Sequence, residues 1–156
     1  MSKTRSPLRP QTGVMDTVND TTADSMTTAG TAVIPILVYE DIEAAHDFLV
    51  GTFGLTSGGL HQLDDGTVVH GEVRNGDAPI WLHRATAEHE MASPRGGAMS
   101  HGGLSVIVPD VDAHYARVKA AGARIDYEPS DQDYGLREYG VRDPENHRWW
   151  FSTPLA

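Results

Sequence analysis

The chain contains no cysteine, so it has no disulfide framework, no thiolate nucleophile and no cysteine-ligated zinc or iron–sulfur site. Its chemistry must rest on His, carboxylate, Arg or aromatic side chains. Basic residues are also scarce, 12 against 22 acidic ones for a formal charge of -10, and a surface poor in clustered Lys and Arg is unsuited to neutralising phosphates. Nucleic acid is therefore not an expected partner, and neutral or cationic small molecules are favoured. No run of eighteen apolar residues occurs, and the N-terminus lacks the apolar stretch of a secretory signal. The expectation is a cytoplasmic protein with no membrane partner.

What is present suffices for one core of ordinary size, with 156 residues of which 39% are hydrophobic. Residues 1–30 are rich in Thr, Ser, Asp and Pro, with Lys3, Arg5 and Arg9 offset by Asp16, Asp20 and Asp24 and no apolar period. They read as a disordered tail before a domain over 31–156. That domain opens with a β-branched run from Ala32 to Tyr39, then Asp41 as an N-cap, then apolar residues at Ile42, Ala45, Phe48, Leu49 and Phe53 at helical spacing, closed by Gly54. Two further strand-like runs, 67–74 and 78–83, flank Asn75-Gly76-Asp77, a hairpin signal.

After a connector over 85–100 containing Pro94, Gly96 and Gly97, the same order returns. A strand over 102–109 leads to Asp110 and a helix with Val111, Tyr115 and Val118 on one face, and strands follow near 124–128, 135–142 and 147–152. Spacing supports a duplication: Asp41-Ile42-Glu43-Ala44 lies over Asp110-Val111-Asp112-Ala113, and Trp81 over Trp150, at one common offset, while Val73-Arg74 lies over Val141-Arg142 at an offset one residue shorter. The modules are thus 31–84 and 101–154.

The segment from Tyr134 to Phe151, with Tyr134-Gly135, Arg142-Asp143-Pro144, a turn and Trp149-Trp150-Phe151, resembles the C-terminal hairpin of the glyoxalase/bleomycin-resistance (vicinal oxygen chelate) superfamily. The segments Val38–Ala44 and Val108–Ala113 extend the resemblance over about 32–153. It implies an α+β fold in which two βαβββ modules form a curved, incomplete eight-stranded, barrel-like sheet around one cavity. It also implies a homodimer, often with the cavity near or across the interface. The family commonly has Gly where this chain has Asn146, which tolerates the positive φ that such a turn requires. Activity does not follow from the fold, because this superfamily includes lyases, isomerases, dioxygenases, thiol transferases and non-catalytic drug-binding proteins.

In metal-dependent members, His and Glu or Gln side chains from four equivalent strand positions hold a divalent ion. Carried onto this sequence, those positions are Ile34, Trp81, Gly103 and Trp150. None offers a lone pair suited to such an ion, which argues against glyoxalase I chemistry, extradiol cleavage and metal-dependent fosfomycin-type resistance. The expectation is no metal and no other cofactor; the alternative is a divalent metal at a displaced site among His70, Glu72, His83 and His101.

Equivalent placement of Trp81 and Trp150 instead suggests two indoles on opposite walls of one cavity, with a planar ligand stacked between them. Aromatic pairs add about 0.5–1.5 kcal/mol each to a micromolar complex worth about 8 kcal/mol. His70, Glu72, His83 and Glu138 would orient such a ligand beside Ile34 and Gly103, in the manner of bleomycin-resistance-type binders that confer antibiotic resistance. A rival reading is a lyase, isomerase or dioxygenase of the same fold using His70 and Glu72 as an acid–base pair or the displaced metal; another is an interaction module whose cavity the two indoles fill. Arg137 and Arg142 flank Tyr139 and suit an anionic group, Arg142 equally a turn salt bridge. Trp149 is expected in the packing, and His46, His89, His114 and His147 on solvated surfaces.

Overall fold

The computed structural model describes residues 32–97 and 102–156, so the tail expected over 1–30, and His101, lie outside the described residues. From Ile34 to Ala156 the chain forms one compact unit of α+β type. Its elements run β1 (Ile36–Tyr39), α1 (Ile42–Gly51), β2 (Thr56–Gln62), β3 (Val68–Asn75), β4 (Ala78–Arg84), then β5 (Gly103–Ile107), α2 (Val111–Ala120), β6 (Arg124–Asp131), β7 (Leu136–Arg142) and β8 (Arg148–Pro154). Two βαβββ modules therefore follow one another. Each makes its own four-stranded mixed sheet, ordered β1-β4-β3-β2 and β5-β8-β7-β6, and no barrel closes.

Both helices begin as the sequence dictates. The Asp41 carboxylate accepts the Ala44 amide at 3.0 Å and the Asp110 carboxylate the Ala113 amide at 2.9 Å, each satisfying an N–H that the first helical turn leaves unpaired. One helical stripe is buried in each case, Ile42, Ala45 and Leu49 in α1 and Val111, His114 and Val118 in α2. The hairpin between β3 and β4 turns at Gly76, whose φ of 59° is costly for a residue with a Cβ.

The strand that pattern reading did not single out is β2. Its sequence, Thr-Ser-Gly-Gly-Leu-His-Gln, has no apolar alternation, and the strand is exposed along its whole length at the edge of its sheet. Pairing with β3, not burial of a face, holds it, through a register broken by irregularities near Gly59 and Gln62.

The modules join through the helix sides of their sheets. Phe53, just after α1, packs edge-on against Trp149 (5.4 Å between ring centroids) and Phe151 (5.1 Å) of β8. His114 Nε2 and Arg117 Nη2 of α2 both donate to the Phe53 carbonyl, at 2.8 and 3.0 Å, and the Tyr39 hydroxyl donates to Asp143 Oδ2 at 2.6 Å. Asp143 also accepts the amides of Glu145 and His147, at 3.0 and 2.9 Å, and the Trp149 indole N–H at 3.2 Å. Nearby, the Glu145 carboxylate takes the Glu40 and Asp41 amides at 2.8 and 2.9 Å, along with Ser93 and Arg95 of the connector. Burial pushes this carboxyl up, but the hydrogen bonds from Ser93, the two amides and Arg95 outweigh that and hold it below the ordinary glutamate value.

Asn146 closes the β7–β8 turn at φ 75°. Its Nδ2 donates to the Gly97 carbonyl of the connector at 2.7 Å, and its Oδ1 accepts from Arg142 at 3.0 Å.

Candidate functional site

Strand alternation sorts the candidate residues. Ile80 and Leu82, Trp149 and Phe151, Val73, Tyr139 and Val141 are buried in the shared core, so their strand neighbours Trp81, Trp150, Glu72, Glu138 and His70 occupy the opposite faces. Trp149 packs in the core as expected. The two indoles take the same place in their modules: Trp81 pairs with Ile36 and Glu72, Trp150 with Ser105 and Gly140. Both are half-buried.

Around Trp81, the indole N–H donates to Glu72 Oε2 at 3.0 Å, and Arg74, two residues along the same strand face, pairs with Glu72 Oε1 at 2.6 Å. Gly58 lies against this carboxylate; a Cβ there would come within 2.5–2.8 Å of its side chain. His70 meets Trp81 edge-on at 5.4 Å. Burial lowers the His70 imidazole below its ordinary value; Glu72 opposes this, and His83 and His61 add to it. Both reinforcing histidines are register neighbours, since His61, His70 and His83 lie side by side across β2, β3 and β4. His83 in turn shares a 2.8 Å hydrogen bond with His89, their rings stacked. His70 and Glu72 are therefore adjacent on one strand face, while the carboxylate's hydrogen bonds go to Arg74 and Trp81.

Around Trp150, the Arg148 guanidinium lies over the ring at 5.6 Å and also reaches Asp126 at 3.2 Å. Gly103 lies under the same ring, where a Cβ would stand 2.7 Å from the indole Cζ3. Close approach of the ring to β5 requires a glycine at that position. Glu138 is buried and accepts the Tyr127 and Tyr134 hydroxyls on one oxygen, at 2.5 and 3.1 Å.

At the four positions that the resemblance assigns to metal ligands, the residues are Ile34, an indole whose N–H is donated to Glu72, a glycine under a ring, and a second indole. These residues do not fit a divalent ion. Among the described residues no three His, Asp or Glu side chains group as metal ligands.

A cavity of about 690 Å³ opens between the first halves of β1 and β5, lined by Ile36, Val38, Pro94, Arg95, Gly103 and His147 among others. Of the candidate residues only Gly103 is among its lining. Neither indole is.

Three histidines expected on solvated surfaces are buried instead. His114 belongs to the inward stripe of α2, hydrogen-bonded to Tyr139 at 2.7 Å and to Phe53. His46 bonds Ser57 at 2.8 Å, and His147 packs on the Tyr39 ring at 4.4 Å. Only His89 is exposed as expected. Arg137 is committed to Asp112 and Asp131, both at 2.8 Å. Arg142 is buried and pairs with Asp126 at 3.0 Å. Pattern reading did not include Tyr127, Tyr134 or Ser152 in the site. Glu138, Trp150 and Ser152 share strand alternation, which was a usable signal for the serine, whereas the two tyrosines arrive from β6 and the following turn.

The arrangement has relatives. A sequence profile described as the Glyoxalase/Bleomycin resistance protein/Dioxygenase superfamily matches residues 22–151. TioX from Micromonospora sp. ML1 is similar in structure, with a TM-score of 0.65 and 37% identity, covering 81% of this chain and 100% of that one. A superfamily member from Sphaerobacter thermophilus DSM 20745 shares the fold at a TM-score of 0.63 and 21% identity, over 80% of this chain and 98% of that one. An uncharacterized protein of Mycobacterium tuberculosis H37Rv, Rv0887c, is 28% identical over 127 residues, 80% of this chain and 75% of the mycobacterial one. With paired βαβββ modules, the Arg142-Asp143-Pro144 hairpin and a profile match across both modules, the chain belongs to the Glyoxalase/Bleomycin resistance protein/Dioxygenase superfamily.

Proposed function

We propose that this protein is a metal-independent binder of planar small molecules, of the bleomycin-resistance type, which sequesters its ligand against Trp81 and Trp150. One observation carries the reading. At register-equivalent positions on the faces turned from the core, where metal-dependent relatives hold ligand side chains, this chain presents two half-buried indoles. An indole face gains by stacking on a flat ring and by removing apolar area from water.

Ile36 and Ile107, on the faces that carry Trp81 and Trp150, are 47 and 49% exposed, and β2 is exposed throughout. A second copy that covered these surfaces would shelter a ligand, so the working form is read as a cytoplasmic homodimer. His70, Glu72, His83 and Glu138 supply polar contacts at the rim.

Titration of tryptophan emission with a panel of planar aromatic compounds tests the reading. Saturable quenching is expected in the wild type and weakened quenching in Trp81→Ala and Trp150→Ala. Emission that no compound changes, or quenching that survives both substitutions, overturns it.

A further inference from the structure

The two modules treat their buried carboxylates differently. Glu72, 6% exposed, is paired with Arg74 at 2.6 Å, so its charge is met by a cation. Glu138, 7% exposed, has no ion pair with any Lys, Arg or His among the described residues. Its partners are two phenol hydroxyls, and both bond the same oxygen. Dipoles offset part of the cost of burying a carboxylate, but a counter-ion does so far more effectively.

The surroundings of Glu138 are aromatic and incompletely satisfied. Its register partner is Ser152, fully buried, with a hydroxyl that has no hydrogen-bond partner among the described residues. Two residues along β7 is Gly140, the register partner of Trp150, and the Tyr127 ring covers it: a Cβ there would come within 2.5 Å of that ring. Carboxylate, unpartnered hydroxyl, phenol and indole therefore share one face of module two. On β7 and β8 the cations of this face are Arg142 and Arg148, and both are turned to Asp126, Arg142 also to Asn146 and Arg148 over Trp150, not to Glu138.

We propose that Glu138 anchors a cationic group of the ligand, an alkylammonium, beside the ring that stacks on Trp150. The inference rests on the reading of the indole faces as the ligand site and adds a charge to the ligand. An ammonium suits a lone carboxylate fringed by aromatic rings, because Coulomb attraction and ring quadrupoles act together on a diffuse cation. A divalent ion would need further anionic oxygen ligands, and the neighbouring phenols are neutral and donate hydrogen bonds to Glu138.

The test compares benzyltrimethylammonium, benzyl alcohol and tetramethylammonium at fixed ionic strength, by saturation-transfer NMR and calorimetric titration. Wild type should bind benzyltrimethylammonium at least tenfold tighter than benzyl alcohol. Glu138→Gln should close that gap to within twofold, whereas Glu128→Gln, at an exposed site, should leave it intact. Methyl-to-ring NOEs from the ammonium to Tyr127 and Trp150 in the wild type check the placement without any variant. Tetramethylammonium has no ring to stack, so a Glu138-dependent signal from it upholds the anchor even where planar compounds fail to quench the indoles, a result that would sink only the stacking reading. Equal binding of the charged and neutral benzyl compounds, or a gap that persists in Glu138→Gln, overturns the anchor even if stacking holds.

Discussion

Removing the Glu145 side chain should loosen the joint between the two modules. Its carboxylate accepts the Glu40 and Asp41 amides where β1 passes into α1, and holds Ser93 and Arg95 of the connector. In Glu145→Ala both amides lose a charged acceptor, each such bond being worth about 1.5–3 kcal/mol. Arg95 is 49% exposed and adds little, as solvent-exposed pairs do. The expected loss is thus about 3–6 kcal/mol, a large share of the roughly 5–15 kcal/mol that stabilises a typical domain. Glu145→Gln should recover only part, because its NH2 would face an amide N–H that needs an acceptor. Urea unfolding followed by tryptophan emission and far-ultraviolet circular dichroism, at one fixed protein concentration, measures both variants. A loss below about 1 kcal/mol in Glu145→Ala at unchanged m-value would refute the assignment of these hydrogen bonds as the joint.

Acid should also destabilise the protein before its carboxylates titrate. Burial holds His70 and His114 below the ordinary imidazole value, so the unfolded chain binds protons at a higher pH than the folded one; their contribution is complete above about pH 6.5 and is lost as the pH falls through the lower folded values. Urea midpoints measured from pH 7.5 down to 5.5 should therefore fall, and a midpoint that rises over that range would contradict the burial of these rings. Gly103→Ala should disturb the β5–β8 pairing and displace the Trp150 indole, since the new methyl would run into the Arg148 carbonyl oxygen and stand 2.7 Å from the ring, at a cost of at least about 1–3 kcal/mol and with a shifted emission maximum. An unchanged spectrum and stability would mean that the ring does not rest there.

Much of this fold was legible because the chain repeats itself. The offset that superposes Asp41 on Asp110 and Trp81 on Trp150 identifies the residues that become the helix caps and the equivalent rungs of the two sheets. Strand β2 was not legible from pattern, since a polar edge strand held by backbone pairing leaves no trace in hydrophobic period. The rungs carrying the indoles followed from the repeat, but their surroundings did not. Tyr127 reaches Glu138 across a strand pair with an irregular register, and irregularities of that kind cannot be counted from sequence. The histidines show a different limit. His114 stands three residues after Val111 and four before Val118, inside the buried stripe, yet as a polar residue it was placed outside; its hydrogen bonds to Tyr139 and Phe53 are what make burial tolerable.

The left-handed turn at Asn146 bears on any attempt to recombine this protein with its relatives. A glycine there would adopt the same φ at less strain, but it would release Gly97 and Arg142 together. Connector and hairpin thus form a matched pair: a chimera that imports a foreign 85–100 segment should inherit residues 145 and 146 from the same parent, because Glu145 holds Ser93 and Arg95 and Asn146 holds Gly97.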